Sequence, residues 1–391
     1  MSRKSTPTNV KMSDIAKIAG VHTSTVSRAL AGSPLVDESV REKIAGIAQS
    51  CGYVVNSAAR SLRLRRSQTI SVAIPLGHES QQPLSDPFFV EMFGYLADEI
   101  TQRGYGVHLQ KVLPPMDRWL ENLVASNQPD GILIIGQSTE HKTIEAMAKK
   151  FLPLVVWGGQ VARQSYCTVG SNNIEGGRMA AEHLLACGRR SIVFVGDTNA
   201  PEFQLRHKGY RQALDAGPRD AERPYLVSSH LMAAGAYAAV TSLITGKHTC
   251  DAIFAATDII AANAIRAIAD AGKSVPGDIA VVGYDDIALA AHTNPPLTTV
   301  RQNIQDGART MVDLLFRRIA GEKTPSAVIP THLVVRASSG APSAEESRSE
   351  SADQYSDRPS AASRLRAGLA TRFTSKPTSS RKANTVASQK P

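Results

Sequence analysis

The sequence has few cysteines, few aromatic residues and no long apolar run. Its four cysteines lie far apart and form no C-x-x-C pair, so neither a disulfide framework nor a zinc site is predicted. No segment approaches the roughly 18 continuous apolar residues of a membrane-spanning helix, and the polar start lacks the apolar stretch of an export signal. We therefore expect a cytoplasmic protein with no membrane partner, no metal and no cofactor.

Common catalytic motifs are also missing from the sequence. It contains no G-x-S-x-G, no H-E-x-x-H and no G-x-G-x-x-G. Gly272-Lys273-Ser274 resembles the end of a phosphate-binding loop, but that loop requires glycine at the position of Ala267. The segment also ends a predicted helix, whereas a phosphate-binding loop precedes one. We therefore expect no enzymatic activity.

The net positive charge of the chain is concentrated at its two ends. Residues 1–66 contain 11 basic and 4 acidic residues, residues 67–340 contain 24 and 26, and residues 341–391 contain 9 and 5. Lys and Arg gain affinity for nucleic acids by releasing phosphate counterions. The N-terminal excess thus predicts a polyanionic partner, with a merely solvated basic surface as the alternative.

The segment that follows Lys11 has the spacing of a helix-turn-helix. Ile15, Ala16 and Ala19 fall on one face of a first helix, and the Ser13 hydroxyl is positioned to cap its start. Gly20-Val21 ends that helix. A second short helix has its apolar face at Val26, Ala29 and Leu30, and its outward positions hold short donors and one long cation, namely Thr23, Ser24, Ser27 and Arg28. Such a helix is suited to entering a major groove.

At these residues the sequence closely resembles the DNA-binding head of the lactose/galactose repressor family. The match runs from "MSDIAKIAGVHTSTVSRAL" through "VREKIAGIAQSCGY" to the hinge motif "NSAARSL". The resemblance implies that operator DNA contacts come from two groups of residues. The head supplies Ser13, His22, Thr23, Ser24, Thr25, Ser27 and Arg28, and the hinge supplies Asn56, Ala59, Leu62 and Arg63.

From Thr69 onward, short apolar runs alternate with segments of helical period. The runs "TISVAIP", "YGVHL", "GILIIG", "LVVWG", "SIVFVGD", "AIFAATD" and "DIAVVGYDD" predict buried strands, and residues 88–103, 140–150, 172–187 and 258–271 predict helices. This rhythm is typical of parallel sheets with helices on both faces. The length favours two lobes, with the crossover expected near residues 158–170 and return strands near 297–300 and 333–335.

The family resemblance continues to about Gly340 through "PDGILIIG", "VGSNNIEGGRMAAEHLL", "RHKGYRQAL" and "VVGYDDIALAAHTNPPLTTVRQ". It implies a two-lobed core, similar to type I periplasmic sugar-binding proteins, that senses a small molecule. By position, the resemblance places effector contacts at Phe88, Phe89, Arg206, Asp258 and Asp285. Arg and Asp suit paired sugar hydroxyls, and aromatic rings cover apolar sugar faces. The alternative is that the two aspartates only cap the helices that follow their strands.

The sequence departs from the family pattern at four places. His22 stands where a capping serine is usual, Ser171 and Thr257 replace a common Asp and Asn, and Gly158 lacks an acidic residue that some relatives carry. Trp157 could compensate for the missing acidic residue by offering a ring on which an effector stacks. The alternative is that Trp157 belongs only to the hydrophobic core.

These observations predict four parts of the chain: a helix-turn-helix head over 1–55, a hinge helix over 56–66, a two-lobed effector-binding and dimerisation core over 67–340, and a disordered tail over 341–391. The tail holds 11 serines and few large apolar residues, which cannot offset its ordering entropy.

The predicted function is a DNA-binding repressor of carbohydrate-utilisation genes, switched by a small-molecule effector that is a sugar. Its partners are a near-palindromic double-stranded operator and a second copy of the chain, as a homodimer or a higher oligomer. The alternatives are a purine- or nucleoside-responsive or activating regulator of the same family, a solute-binding protein, and an enzyme on an α/β fold.

Overall fold

The computed structural model describes residues 10–53, 66–77, 80–113, 116, 118–161, 164–229 and 232–340. We call residues 10–53 the head and residues 66–340 the core. The head contains three helices: α1 (Met12–Ala19), α2 (Thr23–Leu30) and α3 (Glu38–Ser50). Ile15, Ala16, Ala19, Val26 and Ala29 are buried in its core together with residues of α3. The helix-turn-helix prediction is therefore confirmed.

The first turn of α1 differs from the prediction. The helix begins at Met12, so Ser13 lies within it and its hydroxyl makes no cap. The Asp14 carboxylate reaches back instead and accepts a hydrogen bond from the Lys11 backbone N–H at 2.9 Å. The capping role predicted for Ser13 is wrong, because the cap position is Lys11, two residues earlier, and an acidic side chain in the first turn accepts from the free N–H.

The core contains two six-stranded sheets, each forming one lobe. The sheet of lobe 1 has the order β11-β5-β4-β3-β1-β2, and that of lobe 2 the order β12-β10-β9-β8-β6-β7. The strands are β1 (Thr69–Pro75), β2 (Gly106–Val112), β3 (Gly131–Ile135), β4 (Leu154–Trp157), β5 (Cys167–Ser171), β6 (Ile192–Val195), β7 (Tyr225–Val227), β8 (Ala252–Ala255), β9 (Ala280–Asp285), β10 (Thr298–Arg301), β11 (Ala327–Ile329) and β12 (His332–Val334). All pairings are parallel except that of β10 with β12.

Eight α-helices within the described residues of the core pack on these sheets. They are α4 (Pro87–Gln102), α5 (Trp119–Asn127), α6 (His141–Ala148), α7 (Asn173–Ala186), α8 (Pro201–Asp215), α9 (Ala233–Thr245), α10 (Asp258–Asp270) and α11 (Ile304–Ile319). The four helices predicted from periodicity match α4, α6, α7 and α10 to within two residues at each end.

The chain passes between the lobes three times. The first crossover follows β5 at Asn172, the second joins β10 to α11, and the third joins β11 to β12. The predicted crossover at 158–170 is wrong, because β5 still pairs with β4 in lobe 1. Of the expected return strands, β10 and β12 both belong to lobe 2, whereas the strand that returns to lobe 1 is β11.

Candidate functional site

Helix α2 of the head presents an outward polar face. Ser24 and Arg28 are exposed, and Thr23, Thr25 and Ser27 are half-buried along the same short helix. Val26 and Ala29 hold its other face against α1 and α3. The geometry places one long cation and several short hydroxyl groups on the outward side of the helix, which is the arrangement of a helix that lies in a major groove.

His22 occupies the N-cap position of α2 without capping it by a side-chain hydrogen bond. Its backbone is extended, and its Nδ1 lies 3.1 Å from Ser24 Oγ. Ser13 is exposed on α1. The predicted hinge contacts Asn56, Ala59, Leu62 and Arg63 lie outside the described residues, as do residues 341–391.

A cleft lies between the two lobes of the core. It is lined where parallel strands end. Pro75, Ile135, Trp157 and Asp285 are the last residues of β1, β3, β4 and β9, and Ala200 and Thr257 follow β6 and β8. Open α/β sheets bind ligands at this edge. The empty space in the cleft, counted together with the open solvent at its entrance, is about 740 Å³.

Arg206 lies at the lobe 2 side of the cleft and is only 4% exposed. Its Nε donates to Asn173 Oδ1 at 2.9 Å and its Nη1 donates to the Ala256 carbonyl at 2.5 Å. The guanidinium also stacks on the Tyr284 ring, with 3.7 Å from Cζ to the ring centroid. These contacts from three elements fix the plane of the cation.

The position of Arg206 depends on the close packing of α7 against α8. A Cβ at Gly177 would clash with the Arg206 carbonyl oxygen, and a Cβ at Gly209 would clash with the Ile174 carbonyl oxygen. Only glycine lets the two backbones approach this closely. The glycines therefore set the depth at which the guanidinium enters the cleft.

Asp285 ends β9 and faces Arg206, with Oδ1 3.6 Å from Nη1. Its Oδ1 also accepts from Gln302 Nε2 at 2.5 Å. Burial raises the pKa of Asp285 to about 7, although Arg206 and Gln302 oppose the rise. Its φ of 117° lies in the left-handed region that favours glycine, and such backbone strain clusters at binding sites.

Asp258 lies beneath the wall of the cleft and does not line it. It is fully buried, and its Oδ1 accepts from Thr299 Oγ1 at 2.5 Å while Oδ2 accepts from the Ile287 backbone N–H at 2.9 Å. Burial and the neighbouring Asp285 raise the pKa of Asp258. The cap of α10 comes from Thr257, whose Oγ1 accepts from the Ile260 N–H at 3.3 Å.

The aromatic residues predicted for the effector site meet on the lobe 1 side. Phe88 and Phe89 of α4 line the cleft with Trp157, and the Phe88 and Trp157 rings are 6.5 Å apart between centroids. Trp157 is 3% exposed and packs so closely on α11 that a Cβ at Gly307 would clash with it. It is thus both core and cleft wall. Phe203 of α8 adds an aromatic ring from lobe 2.

The structure also brings polar residues to the cleft that the sequence analysis did not single out. They are Gln82, Asp86, Ser138, Glu202 and Gln302. Gln82 and Asp86 lie just before α4, and Glu202 is in the first turn of α8. The sequence did contain a signal for Glu202. A polar residue in the first turn of a helix that follows a buried strand lies at the edge of the sheet where ligands bind.

Two of the four departures from the family pattern are explained by their contacts. Ser171 Oγ donates to Gln302 Oε1 at 2.7 Å and so links the first two crossovers. At Gly158 a Cβ would collide with the Gln137 side chain, whose Nε2 donates to Tyr166 Oη at 2.8 Å. The space of a larger residue at 158 is therefore filled by Gln137.

Within the described ranges, no helix is both long and apolar enough to cross a bilayer. In the same part of the chain, no group of three or more His, Cys, Asp or Glu side chains is arranged to hold a metal ion. The four cysteines are free thiols, of which Cys167 is buried.

Comparison with protein families gives two matches along the chain. Residues 11–56 match the lacI family of bacterial regulatory proteins, and residues 181–339 match a periplasmic binding protein-like domain. The HTH-type transcriptional regulator CelR of Thermobifida fusca is 32% identical over 345 residues, covering 86% of this chain and 100% of the relative. The ribose operon repressor of Haemophilus influenzae is 31% identical and covers 79% and 91%.

Solved structures of regulators of this kind also resemble the chain. The complex of the regulator CelR with cellobiose has a TM-score of 0.64 at 29% identity, covering 84% of this chain and 99% of that one. The Lac repressor dimer bound to operator and the anti-inducer ONPF has a TM-score of 0.76 at 24% identity, covering 85% and 100%, and shows the shared fold. With its helix-turn-helix head, its two-lobed core and relatives that align over most of its length, the chain belongs to the lacI family of bacterial regulatory proteins.

Proposed function

We propose that this DNA-binding regulator is a homodimeric repressor of carbohydrate-utilisation genes whose operator affinity is switched by a sugar in the interlobe cleft. The observation that carries the effector half of the proposal is the cleft itself. Planar polar groups, Arg206 and Asp285, stand on one side, and the rings of Phe88, Phe89 and Trp157 stand on the other. Sugars present both hydroxyl pairs and apolar C–H faces, so this combination fits them.

The relatives support the same class of effector. One is named a ribose operon repressor, and the CelR regulator has been solved with cellobiose. We extend sugar binding to this chain through Phe88, Phe89, Trp157, Arg206 and Asp285. Asp258 enters as a support, because its carboxylate holds the Ile287 backbone beside the cleft.

DNA binding is assigned to the exposed face of α2. We propose base contacts from Arg28 and the short donors of that helix, with Ser13 and His22 near the phosphates and residues 56–66 as the hinge. The proposed parts of the chain are the head (1–55), the hinge (56–66), the core (67–340) and the tail (341–391). We also propose that the protein is cytoplasmic and has no catalytic activity. The basic excess of residues 1–66 supports a polyanionic partner.

The switch is proposed to act through the crossovers between lobes. An effector that touches both lobes changes their preferred arrangement only by its differential affinity for the two states. Gln302 lies in the second crossover, donates to Asp285 and accepts from Ser171 in the first. The chain enters lobe 1 where Asp130 accepts from the Ser67 and Gln68 N–H groups, at 2.7 Å and 3.1 Å. Because Ser67 directly follows the hinge, a movement of lobe 1 would displace the end of the hinge as well.

The test is operator binding by fluorescence anisotropy with and without a panel of sugars and nucleosides, on wild type and Arg206→Ala. A sugar that shifts operator affinity of wild type by at least tenfold and leaves Arg206→Ala unchanged supports the proposal. Arg178→Ala, on the outer face of α7, is the control and should respond like wild type. A nucleoside that acts where no sugar does would favour the purine-responsive alternative, and absence of operator binding would overturn the proposal.

A further inference from the structure

The charges that line the cleft are unbalanced. Among the described residues of the lining, Asp86, Glu202 and Asp285 carry carboxylates, whereas Arg206 is the sole Arg or Lys. The three acids come from different elements: the turn before α4, the start of α8 and the end of β9. Glu91 of α4 adds a further negative charge close enough to raise the pKa of Asp285. A ligand in this cleft therefore meets an acidic surface from both lobes.

Arg206, the one Arg or Lys among the described lining residues, already donates to protein acceptors. Two of the three guanidinium nitrogens of Arg206 donate to Asn173 and Ala256, and the nearby Asp285 carboxylate offsets its charge. A phosphate or carboxylate ligand is normally bound by a guanidinium fork with both donors free. Arg206 is held too tightly by its own protein to offer that fork.

The cleft also contains a buried acceptor that lacks a donor. Gln82 is 6% exposed and lines the cleft. Its Nε2 donates to Asp86 Oδ2 at 2.9 Å, which fixes the orientation of the amide, and its Oε1 has no hydrogen-bond partner among the described residues. A buried unpaired carbonyl oxygen costs free energy until something donates to it. The lining is thus rich in acceptors and poor in available donors.

We infer that the effector is an uncharged, hydroxyl-rich sugar, and that this cleft excludes phosphorylated sugars and sugar acids. The inference rests on the proposed sugar-responsive function and narrows it. Each sugar hydroxyl supplies a donor for Glu202, Asp285 or Gln82 Oε1, whereas both oxygens of Asp86 already accept from Phe88 N–H and Gln82 Nε2. A phosphate replaces a donor hydroxyl by acceptors and brings negative charge against Asp86, Glu202 and the ionised fraction of Asp285, which costs binding energy in a partly enclosed site.

Glu202 is the residue whose charge can be removed with least disturbance. It is half-buried in the lining of the cleft, and its Oε1 accepts only a long hydrogen bond, 3.4 Å from the Gln137 backbone N–H. Glu202→Gln keeps its shape and removes its charge. We assign it the role of an anion-excluding residue.

The experiment measures binding of matched pairs to the full chain by calorimetry: glucose with glucose 6-phosphate, ribose with ribose 5-phosphate, and cellobiose with cellobionate. The neutral member of the pair that binds should bind at least tenfold more tightly, about 1.4 kcal/mol. The ratio should shrink as salt is raised, since added ions screen the repulsion. A charged member that binds as tightly as its neutral partner, or more tightly, overturns the inference while leaving sugar control intact.

Failure of both members of every pair overturns the sugar effector itself, and the inference with it. For the variant, Glu202→Gln should reduce the neutral-to-charged affinity ratio at least threefold. Glu182→Gln, whose carboxylate pairs with Arg178 outside the cleft, should leave the ratio unchanged. Thermal unfolding of each variant shows whether it is folded. An unchanged ratio in a folded Glu202→Gln protein contradicts the role of Glu202.

Discussion

At the scale of single residues, the same residue type serves opposite purposes in this protein. Asp258 and Asp285 both lie at the carboxyl ends of lobe 2 strands, yet one has both oxygens bound inside the protein and the other lines the cleft. Their neighbours decide the difference, because Thr299 and the Ile287 N–H use the hydrogen-bonding capacity of Asp258. Asp285 retains capacity for a ligand.

The first prediction concerns Arg28. It is the long exposed cation of α2, and a bidentate contact to guanine is worth about 1–3 kcal/mol of discrimination. Arg28→Ala should weaken operator binding by that amount and relax preference at one base pair, as measured by selection on a randomised operator. Arg66→Ala, the control, should weaken binding to every sequence alike. An unaltered base preference in Arg28→Ala would show that Arg28 reads no base.

The second prediction concerns the ionisation of Asp285. Because burial raises its pKa to about 7, the folded core keeps a proton that the unfolded chain releases near pH ~4. The folded state therefore binds more protons between these values, and the free energy of unfolding should fall as pH rises from about 4 to about 7. Arg206 and Gln302 oppose the raised pKa, whereas Asp86 and Glu91 reinforce it.

Urea unfolding of the full chain across that pH range measures this slope. In Asp285→Asn the contribution of this group should vanish. The free energy of unfolding should then depend less steeply on pH, with a slope smaller by the equivalent of up to about one bound proton. If the wild type and Asp285→Asn have parallel curves, the raised pKa of Asp285 is excluded.

At the scale of elements, the cleft depends on how closely helices approach one another. The crossing of α7 and α8 is close because of Gly177 and Gly209, and the packing of α11 on Trp157 is close because of Gly307. These contacts place Arg206 and Trp157 at opposite walls of one cavity. Small changes in the distance between these helices should therefore change the affinity for the effector.

The third prediction tests this spacing with Gly177→Ala. The added methyl group would clash with the Arg206 backbone carbonyl, and overpacking of this kind costs about 1–3 kcal/mol. Both the free energy of unfolding and effector affinity should fall, as measured by urea unfolding and calorimetry. The matched control is Gly94→Ala in α4, where a Cβ meets nothing within 4 Å. That change should be neutral or slightly stabilising, because alanine favours the helix. Equal behaviour of the two variants would contradict the packing argument.

At the scale of the whole molecule, lobe 1 exposes apolar side chains near one edge of its sheet. Val90 of α4 is 55% exposed, and Leu113 and Met116, which follow the edge strand β2, are each 49% exposed. Helix α4 packs against β2, so these residues belong to one side of the lobe. An exposed apolar patch beside a sheet edge is typical of an interaction surface, which fits the proposed dimer.

The fourth prediction is that Val90→Asp combined with Leu113→Asp weakens this dimer. Burying two unpaired carboxylates at a self-complementary interface is costly. The variant should sediment as a monomer at concentrations where wild type is a dimer, and should bind a two-half-site operator at least tenfold less tightly. Val328→Asp provides the control, since Val328 is 52% exposed on β11 at the opposite edge of the same sheet. A dimer that survives the double substitution would place the interface elsewhere.

The amino-acid sequence by itself determined the helix-turn-helix, most strands and the general place of the proposed effector site. These features depend on local patterns: the apolar spacing of Ile15, Ala16 and Ala19, and polar residues such as Asp285 that follow buried strands. Local patterns set which face of an element is buried, so they can be recognised without the fold.

Only the tertiary structure decided where the chain crosses between lobes and which polar residues meet in the cleft. The short strand β11 joins lobe 1 by pairing with β5, far away in sequence, and nothing in its three residues shows this. Asp258 is removed from the cleft by Thr299, and Gln82 is brought into it beside Asp86. Burial and hydrogen bonding depend on partners from distant segments, and the packing of the whole chain selects those partners.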